Sequence, residues 1–154
     1  MGCQYFEPTD AGANSYTVAI PKLTFGRGSL AEVGQRASAL GFKKVALFTD
    51  AILESGPIVE IVKQSLKQHG IQLNTFSDIR IEPDDDCVMV AAAMLTESRP
   101  DGVISVGGGS VIDTAKAALL IAAHGGHIRD YFAAPAGNGK AVPCLLYTSP
   151  SPRD

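Results

Sequence analysis

Tryptophan is absent from this 154-residue chain, and cysteine, methionine and aromatic residues are scarce. The three cysteines are an odd number without the paired spacing of a zinc knuckle, which argues against a disulfide framework and indicates a reducing compartment. No apolar run approaches the roughly 20 residues that span a bilayer. With 13 Lys and Arg against 16 Asp and Glu, the sequence has no basic cluster for nucleic acid. We therefore expect a cytoplasmic protein with no nucleic-acid and no membrane partner.

The hydrophobic content, 45%, is enough for the core of one domain of ordinary size. We expect a flexible leader over residues 1–15 and an α/β domain over 16–143. Residues 144–154 dissolve into Ser and Pro, so we expect a disordered tail there. This tail looks like a foreign reading frame or a cloning or sequencing junction rather than native sequence.

Along the rest of the chain, short apolar runs alternate with segments whose apolar residues recur at helical spacing. An edge-strand pair is predicted over 16–20 and 23–25, and Ser29 with Glu32 has capping-box spacing at the start of the first helix. Helices are predicted over 29–40, 57–69 and 84–97, and buried strands over 44–50, 71–76 and 102–106. Alternation of this kind with short connections predicts an open parallel α/β sheet.

Three glycines follow the last predicted strand and open directly into a helix, in the run Gly107-Gly108-Gly109-Ser110. Glycines let the backbone approach a diphosphate, and the free amides and dipole of a helix N-terminus favour the anion. Asp50 ends another predicted strand, so we expect it to share one crevice with the glycine run at the carboxyl edge of the sheet. The alternatives are a tight turn without a ligand at the glycines and a turn residue at Asp50.

Two further groups of residues admit a functional and a structural interpretation. Asp84-Asp85-Asp86 suggests a divalent-ion site, but consecutive helix positions diverge, so an acidic helix start is the better interpretation. His124 and His127 flank two glycines and are more simply explained by a helix C-terminus than by a metal.

The glycine run has neither the spacing of the dinucleotide fingerprint G-x-G-x-x-G nor the G-K-[ST] of a P-loop. The longer pattern Gly-Gly-Gly-Ser-x-x-Asp-x-x-Lys over 107–116 resembles the cofactor motif of the iron-containing (group III) alcohol dehydrogenases, whose fold is shared with dehydroquinate synthase and glycerol dehydrogenase. Residues 23–28 and 48–50 are similar to further family segments. Residues 79–84 and 130–139 are closest to the hydroxyacid-oxoacid transhydrogenase branch.

This resemblance implies a Rossmann-like N-terminal NAD-binding domain, incomplete here over 16–143, without the helical metal domain. Asp50 would bind the adenosine ribose and favour NAD over NADP. The remaining implied cofactor residues are Gly107, Gly108, Gly109, Ser110, Asp113 and Lys116. As alternatives, Asp113 is an acid that stabilises the first turn of its helix and Lys116 is a solvated lysine. Glu82-Pro83 stands where many relatives have Asn-Pro, which departs from the family pattern.

The resemblance also implies an activity for the parent protein. A hydride would pass between NAD and a small hydroxy acid or alcohol, in its most concrete form from 4-hydroxybutyrate with 2-oxoglutarate as the oxo acid. Iron or another divalent metal would be held by one Asp and three His beyond residue 143, so no catalytic or metal-binding residue is assigned within this chain. We expect a homo-oligomeric parent and no turnover by the chain as written. The alternatives are another iron-type alcohol dehydrogenase, a glycerol dehydrogenase-like enzyme, and a free-standing nucleotide-binding module.

Overall fold

A computed structural model describes residues 23–142 of the chain. Within them, three strands form one parallel sheet: β1 (Lys44–Thr49), β2 (Gln72–Phe76) and β3 (Gly102–Val106). Their order is β2-β1-β3, with Val45 opposite both Leu73 and Gly102. The helices in this part of the chain are α1 (Val33–Ala39), α2 (Ala51–Glu54), α3 (Pro57–Gln68), α4 (Asp85–Ser98) and α5 (Gly109–His124). It also contains 3₁₀ turns at Ser29–Glu32 and Ile128–Tyr131.

The central strand β1 is covered on both faces, which explains its continuous apolar sequence. On one face, Phe48 packs with Phe76 and with the apolar sides of α4 and α5. On the other face, Val45 and Leu47 pack against α1 and α3. The predicted open parallel sheet with covering helices is confirmed in residues 23–142.

Helix starts follow the sequence signals in two places. Pro57 occupies the first turn of α3, where its missing N–H costs no hydrogen bond. Asp84 precedes α4, and its carboxylate accepts a hydrogen bond of 2.8 Å from the amide of Cys87. The acidic run at 84–86 is thus a helix start, as the structural interpretation proposed.

The start of the described chain differs from the prediction. Leu23–Phe25 forms no strand, and the predicted helix over 29–40 divides into a 3₁₀ turn and α1. Gly28 has a φ of 81°, in the left-handed region, and its carbonyl accepts from Ala31, which tightens the first turn. Ser29 then donates to the carbonyl of Gly26 at 2.9 Å, so the predicted capping box with Glu32 is wrong.

Several predictions lie outside the described residues. These are the leader over 1–15, the strand over 16–20 and the tail over 144–154. Within residues 23–142, none of the helices combines the length and apolar character needed to cross a bilayer.

Candidate nucleotide-binding site

A crevice of about 510 Å³ lies at the carboxyl edge of the sheet. Three segments line it: residues 50–53 after β1, residues 79–81 after β2, and residues 108–111 at the start of α5. The structure therefore brings Asp50, Gly108, Gly109 and Ser110 together, as expected for strand ends of a parallel sheet. We call this space the crevice below.

The three glycines of the run differ in what surrounds them. A Cβ built on Gly107 would lie 2.5 Å from Cγ2 of Val111, so this glycine allows α5 to pack closely on β3. A Cβ on Gly108 or Gly109 would meet nothing within 4 Å. The second and third glycines therefore keep space open beside the crevice rather than relieve a clash within the protein.

Helix α5 begins at this point, with Gly108 as its N-cap. The carbonyl of Gly108 accepts from the amides of Val111 and Ile112. The amides of Gly109 and Ser110 have no partner among residues 23–142, so they are available to an anion at the positive end of the helix.

Asp50 is half-buried and caps the short helix α2. One carboxylate oxygen, Oδ1, accepts from the amides of Ile52 at 3.0 Å and Leu53 at 2.9 Å. The other oxygen, Oδ2, has no partner in the described part of the chain. Asp50 thus has a structural role through one oxygen, and the other oxygen remains available for a ligand.

Asp113 and Lys116 do not line the crevice. Helix α5 starts at Gly109, which places Asp113 at its fifth position, past the free amides. Asp113 is exposed and Lys116 is half-buried, and neither side chain forms a hydrogen bond within residues 23–142. The interpretation of Asp113 as an acid that stabilises the first turn of its helix is therefore wrong.

Sequence reasoning missed the apolar and basic residues of the crevice walls. Ile52 and Ile81 are 87% and 90% exposed on two of the lining segments, and Arg80 lies between Ile79 and Ile81. A single arginine in a loop has no periodicity, and neither its place after a strand nor the family resemblance of residues 79–84 gave it a role.

Glu82 connects this loop to α5. Its amide donates to Oγ of Ser110 at 3.4 Å, and its φ of 54° is unusual for a residue other than glycine or asparagine. The residue that departs from the family's Asn-Pro thus lies beside the crevice and is not among its lining residues.

The titratable groups with shifted pKa values in residues 23–142 lie outside the crevice. A hydrogen bond from Arg129 lowers the pKa of Asp85, and the same contact raises the pKa of Arg129. Two backbone amides at the start of β1 lower the pKa of Asp101. Burial raises the pKa of the Cys87 thiol. These groups stabilise loops and helix ends, and we assign them no part in the site.

His124 and His127, the two histidines that flank the glycine pair, also have structural roles. His124 is the last residue of α5, and Nδ1 of His127 accepts from the amide of Arg129 at 3.2 Å. Asp130 completes that cap by accepting from the amide of His127. No three His, Cys, Asp or Glu side chains converge within residues 23–142, so this part of the chain does not offer a donor set for iron.

The parallel sheet, the glycine turn and the free helix amides together define a Rossmann-like α/β domain. Residues 21–149 match the family described as iron-containing alcohol dehydrogenase. The chain belongs to that family, as its glycine motif predicted.

The similar curated proteins include a transhydrogenase and a dehydrogenase. The chain is 38% identical over 129 residues to the mitochondrial hydroxyacid-oxoacid transhydrogenase of Mus musculus, covering 83% of the chain and 28% of the relative. It is 35% identical to the NAD-dependent methanol dehydrogenase of Bacillus methanolicus, covering 84% of the chain and 34% of that relative. The chain thus spans about a third or less of the length of these enzymes.

Solved structures agree with the fold. The NADH-dependent butanol dehydrogenase A of Thermotoga maritima superposes with a TM-score of 0.73 at 31% identity, covering 77% of this chain and 30% of that one. Sulfoacetaldehyde reductase of Bifidobacterium kashiwanohense in complex with NAD⁺ gives a TM-score of 0.73 at 26% identity, covering 84% and 32%. The predicted Rossmann-like fold class is confirmed.

Proposed function

We propose that this chain is the cofactor-binding part of an NAD-dependent, metal-dependent oxidoreductase, and that the crevice binds NAD. One observation carries the proposal: two amides at the start of α5 and one carboxylate oxygen of Asp50, all without a partner among residues 23–142, border the same open space. A dinucleotide presents a diphosphate and ribose hydroxyls, which are the groups that these atoms can bind.

Each residue has a distinct part in the proposed site. The amides of Gly109 and Ser110 would donate to the diphosphate, and the absence of a Cβ at Gly108 and Gly109 leaves it room. Oδ2 of Asp50 would accept from a ribose hydroxyl and would repel a 2′-phosphate, which favours NAD over NADP. Gly107 would act indirectly, by setting the position of α5.

Asp113 and Lys116 remain predictions as cofactor residues. Neither side chain lines the crevice, so a role for either requires the ligand to extend along α5 beyond the described lining.

Bound NAD would supply the hydride acceptor or donor of the parent enzyme. We propose 4-hydroxybutyrate and 2-oxoglutarate as its substrates, because a transhydrogenase is 38% identical to this chain. The methanol dehydrogenase at 35% identity supports another iron-type alcohol dehydrogenase as the alternative. The expected homo-oligomeric parent and cytoplasmic location remain predictions.

Following the family resemblance, we propose that the metal ligands of the parent lie beyond residue 143 and that the 154-residue chain binds NAD without turnover. Titration calorimetry tests the binding. We expect saturable heat with NAD and binding of NADP at least about tenfold weaker, since a carboxylate beside a 2′-phosphate costs on the order of 1.4 kcal/mol or more. No heat with NAD at millimolar concentration would refute the proposed site.

Asp50→Asn is the matched variant for this titration. Asn still offers Oδ1 to the amides of Ile52 and Leu53, so helix α2 stays capped. The variant should bind NADP more nearly as it binds NAD, because the repelling charge is gone. Metal-dependent oxidation of 4-hydroxybutyrate by the 154-residue chain would contradict the proposed lack of turnover.

A free-standing nucleotide-binding module is the second candidate, since every residue that lines the crevice lies between 50 and 111. Sequencing the gene past codon 143 separates the candidates. A Thr-rich loop followed by one Asp and three His ligands supports the enzyme. An in-frame stop codon that comes before any such loop and ligands supports the module.

A further inference from the structure

Arg80 is the basic member of the eleven residues that line the crevice, and Asp50 is the acidic one. Within the described residues, the guanidinium of Arg80 is held only by a weak ion pair. Nη1 lies 3.3 Å from Oδ2 of Asp84, and the two side chains are 71% and 45% exposed. An exposed ion pair of this kind is weak, so Arg80 can exchange Asp84 for another anion at little cost.

The loop that carries Arg80 is held beside the start of α5. Two residues further along the chain, the amide of Glu82 donates to Oγ of Ser110. Ser110 also carries one of the unpartnered amides. The guanidinium is therefore attached to a backbone that adjoins the anion-binding end of the helix.

With a nucleotide diphosphate bound, the charges in the crevice would favour a cationic side chain there. A nucleotide diphosphate brings about two negative charges, whereas a helix N-terminus offers roughly half a positive charge. Asp50 adds a further negative charge within the same lining. A guanidinium is suited to the deficit, because its planar set of donors matches two phosphate oxygens at once.

We infer that Arg80 leaves Asp84 on ligand binding and pairs with the diphosphate, so that the crevice selects ligands that carry one. The inference rests on the proposed function, because it concerns the same crevice. It adds a side chain that recognises the ligand and a competing carboxylate that the ligand must displace.

Titration calorimetry with NAD and with ADP on the full chain tests the inference. Arg80→Gln should raise both dissociation constants by about tenfold, the usual order for one charge-assisted contact. Arg80→Lys should recover part of the loss, because it keeps the charge and loses the paired geometry.

Arg36→Gln is the matched control. Arg36 is also an exposed arginine in an ion pair four residues apart, with Glu32 at 2.8 Å, but it does not line the crevice. It should bind NAD and ADP within twofold of wild type. An equal loss in this variant would show a general charge effect and would overturn the inference.

Asp84→Asn separates direct binding from a structural role of the ion pair. Asn can still cap α4 through the amide of Cys87, while the carboxylate that competes for Arg80 is gone. We expect NAD binding unchanged or up to about threefold tighter, the size of an exposed pair. NAD binding weakened as strongly as in Arg80→Gln would mean that the ion pair has a structural role and that Arg80 does not bind the ligand directly. That result would overturn the inference.

Different results would overturn the proposed NAD site and the proposed role of Arg80. Wild-type protein that binds neither NAD nor ADP overturns the proposed function and this inference with it. Wild-type protein that binds both, with Arg80→Gln within twofold of it, overturns the inference alone.

Discussion

Alanine substitution along the glycine run should separate packing from ligand binding. A Cβ on Gly107 would lie 2.5 Å from Cγ2 and 2.9 Å from Cβ of Val111, and the β-branched Val111 has little freedom to move away. Overpacking of this kind costs about 1–3 kcal/mol. For a chain of this length, a loss of about 2 kcal/mol lowers Tm by roughly 4–8 °C. Gly107→Ala should therefore lose stability and, because α5 is displaced, NAD affinity as well.

Gly109→Ala is the matched variant. Its Cβ meets nothing within 4 Å, and alanine suits the first turn of a helix, so stability should be unchanged or higher by about 0.4–1 kcal/mol. The added methyl group would nevertheless take up space beside the crevice and weaken NAD binding. Thermal unfolding and calorimetry on both variants give the comparison. NAD affinity equal to wild type in Gly109→Ala would refute the role assigned to the open glycines.

A double variant identifies the clash. Val111→Ala removes both Cγ atoms that the new methyl group of Gly107→Ala would contact. The stability losses of the two single variants should therefore sum to more than that of the double variant. Strict additivity would show that the contact with Val111 is not the cause of the loss.

Three further predictions concern residues outside the glycine run. Glu82→Asn should raise the free energy of unfolding by about 1 kcal/mol, measured with denaturant, because Asn tolerates the left-handed backbone at φ 54° better than Glu; an unchanged value would contradict the strain. Asp101→Asn should be less stable than wild type at pH 7, since the folded protein lowers the pKa of Asp101 below its usual 3.8 through amides of Lys43 and Lys44. The difference is present above that pH and should shrink as the pH falls through the lowered folded value; a pH-independent gap in acid unfolding would contradict this. Cys87 is 8% exposed and its pKa is raised by burial, so site-resolved mass spectrometry should find alkylation much slower in folded than in denatured protein; equal rates would contradict it.

The elements that could be predicted from sequence are those whose signals are local. β3 has the predicted bounds, since a short apolar run between turns leaves few alternatives. The start of α3 at Pro57 follows from a rule about one residue. Parallel strands end at one edge, so the shared crevice of Asp50 and Gly108 also followed.

The features that sequence reasoning missed or assigned wrongly depended on contacts between distant segments or on the exact start of a helix. Asp113 was assigned to the wrong turn because α5 begins one residue before Ser110. The capping box of Ser29 failed because Gly28 tightens the turn before it. Arg80 enters the crevice through a loop held to α5 by Glu82, a contact across 28 residues that no local pattern reveals.

Amide NMR spectra of the 154-residue chain, recorded during a titration with NAD, locate the bound ligand residue by residue. We have proposed that NAD occupies the crevice formed by residues 50–53, 79–81 and 108–111. We predict saturable shifts concentrated in those three segments, largest at the amides of Gly109 and Ser110. Shifts that saturate elsewhere while these segments stay unmoved, or no shifts at millimolar NAD, would contradict the account.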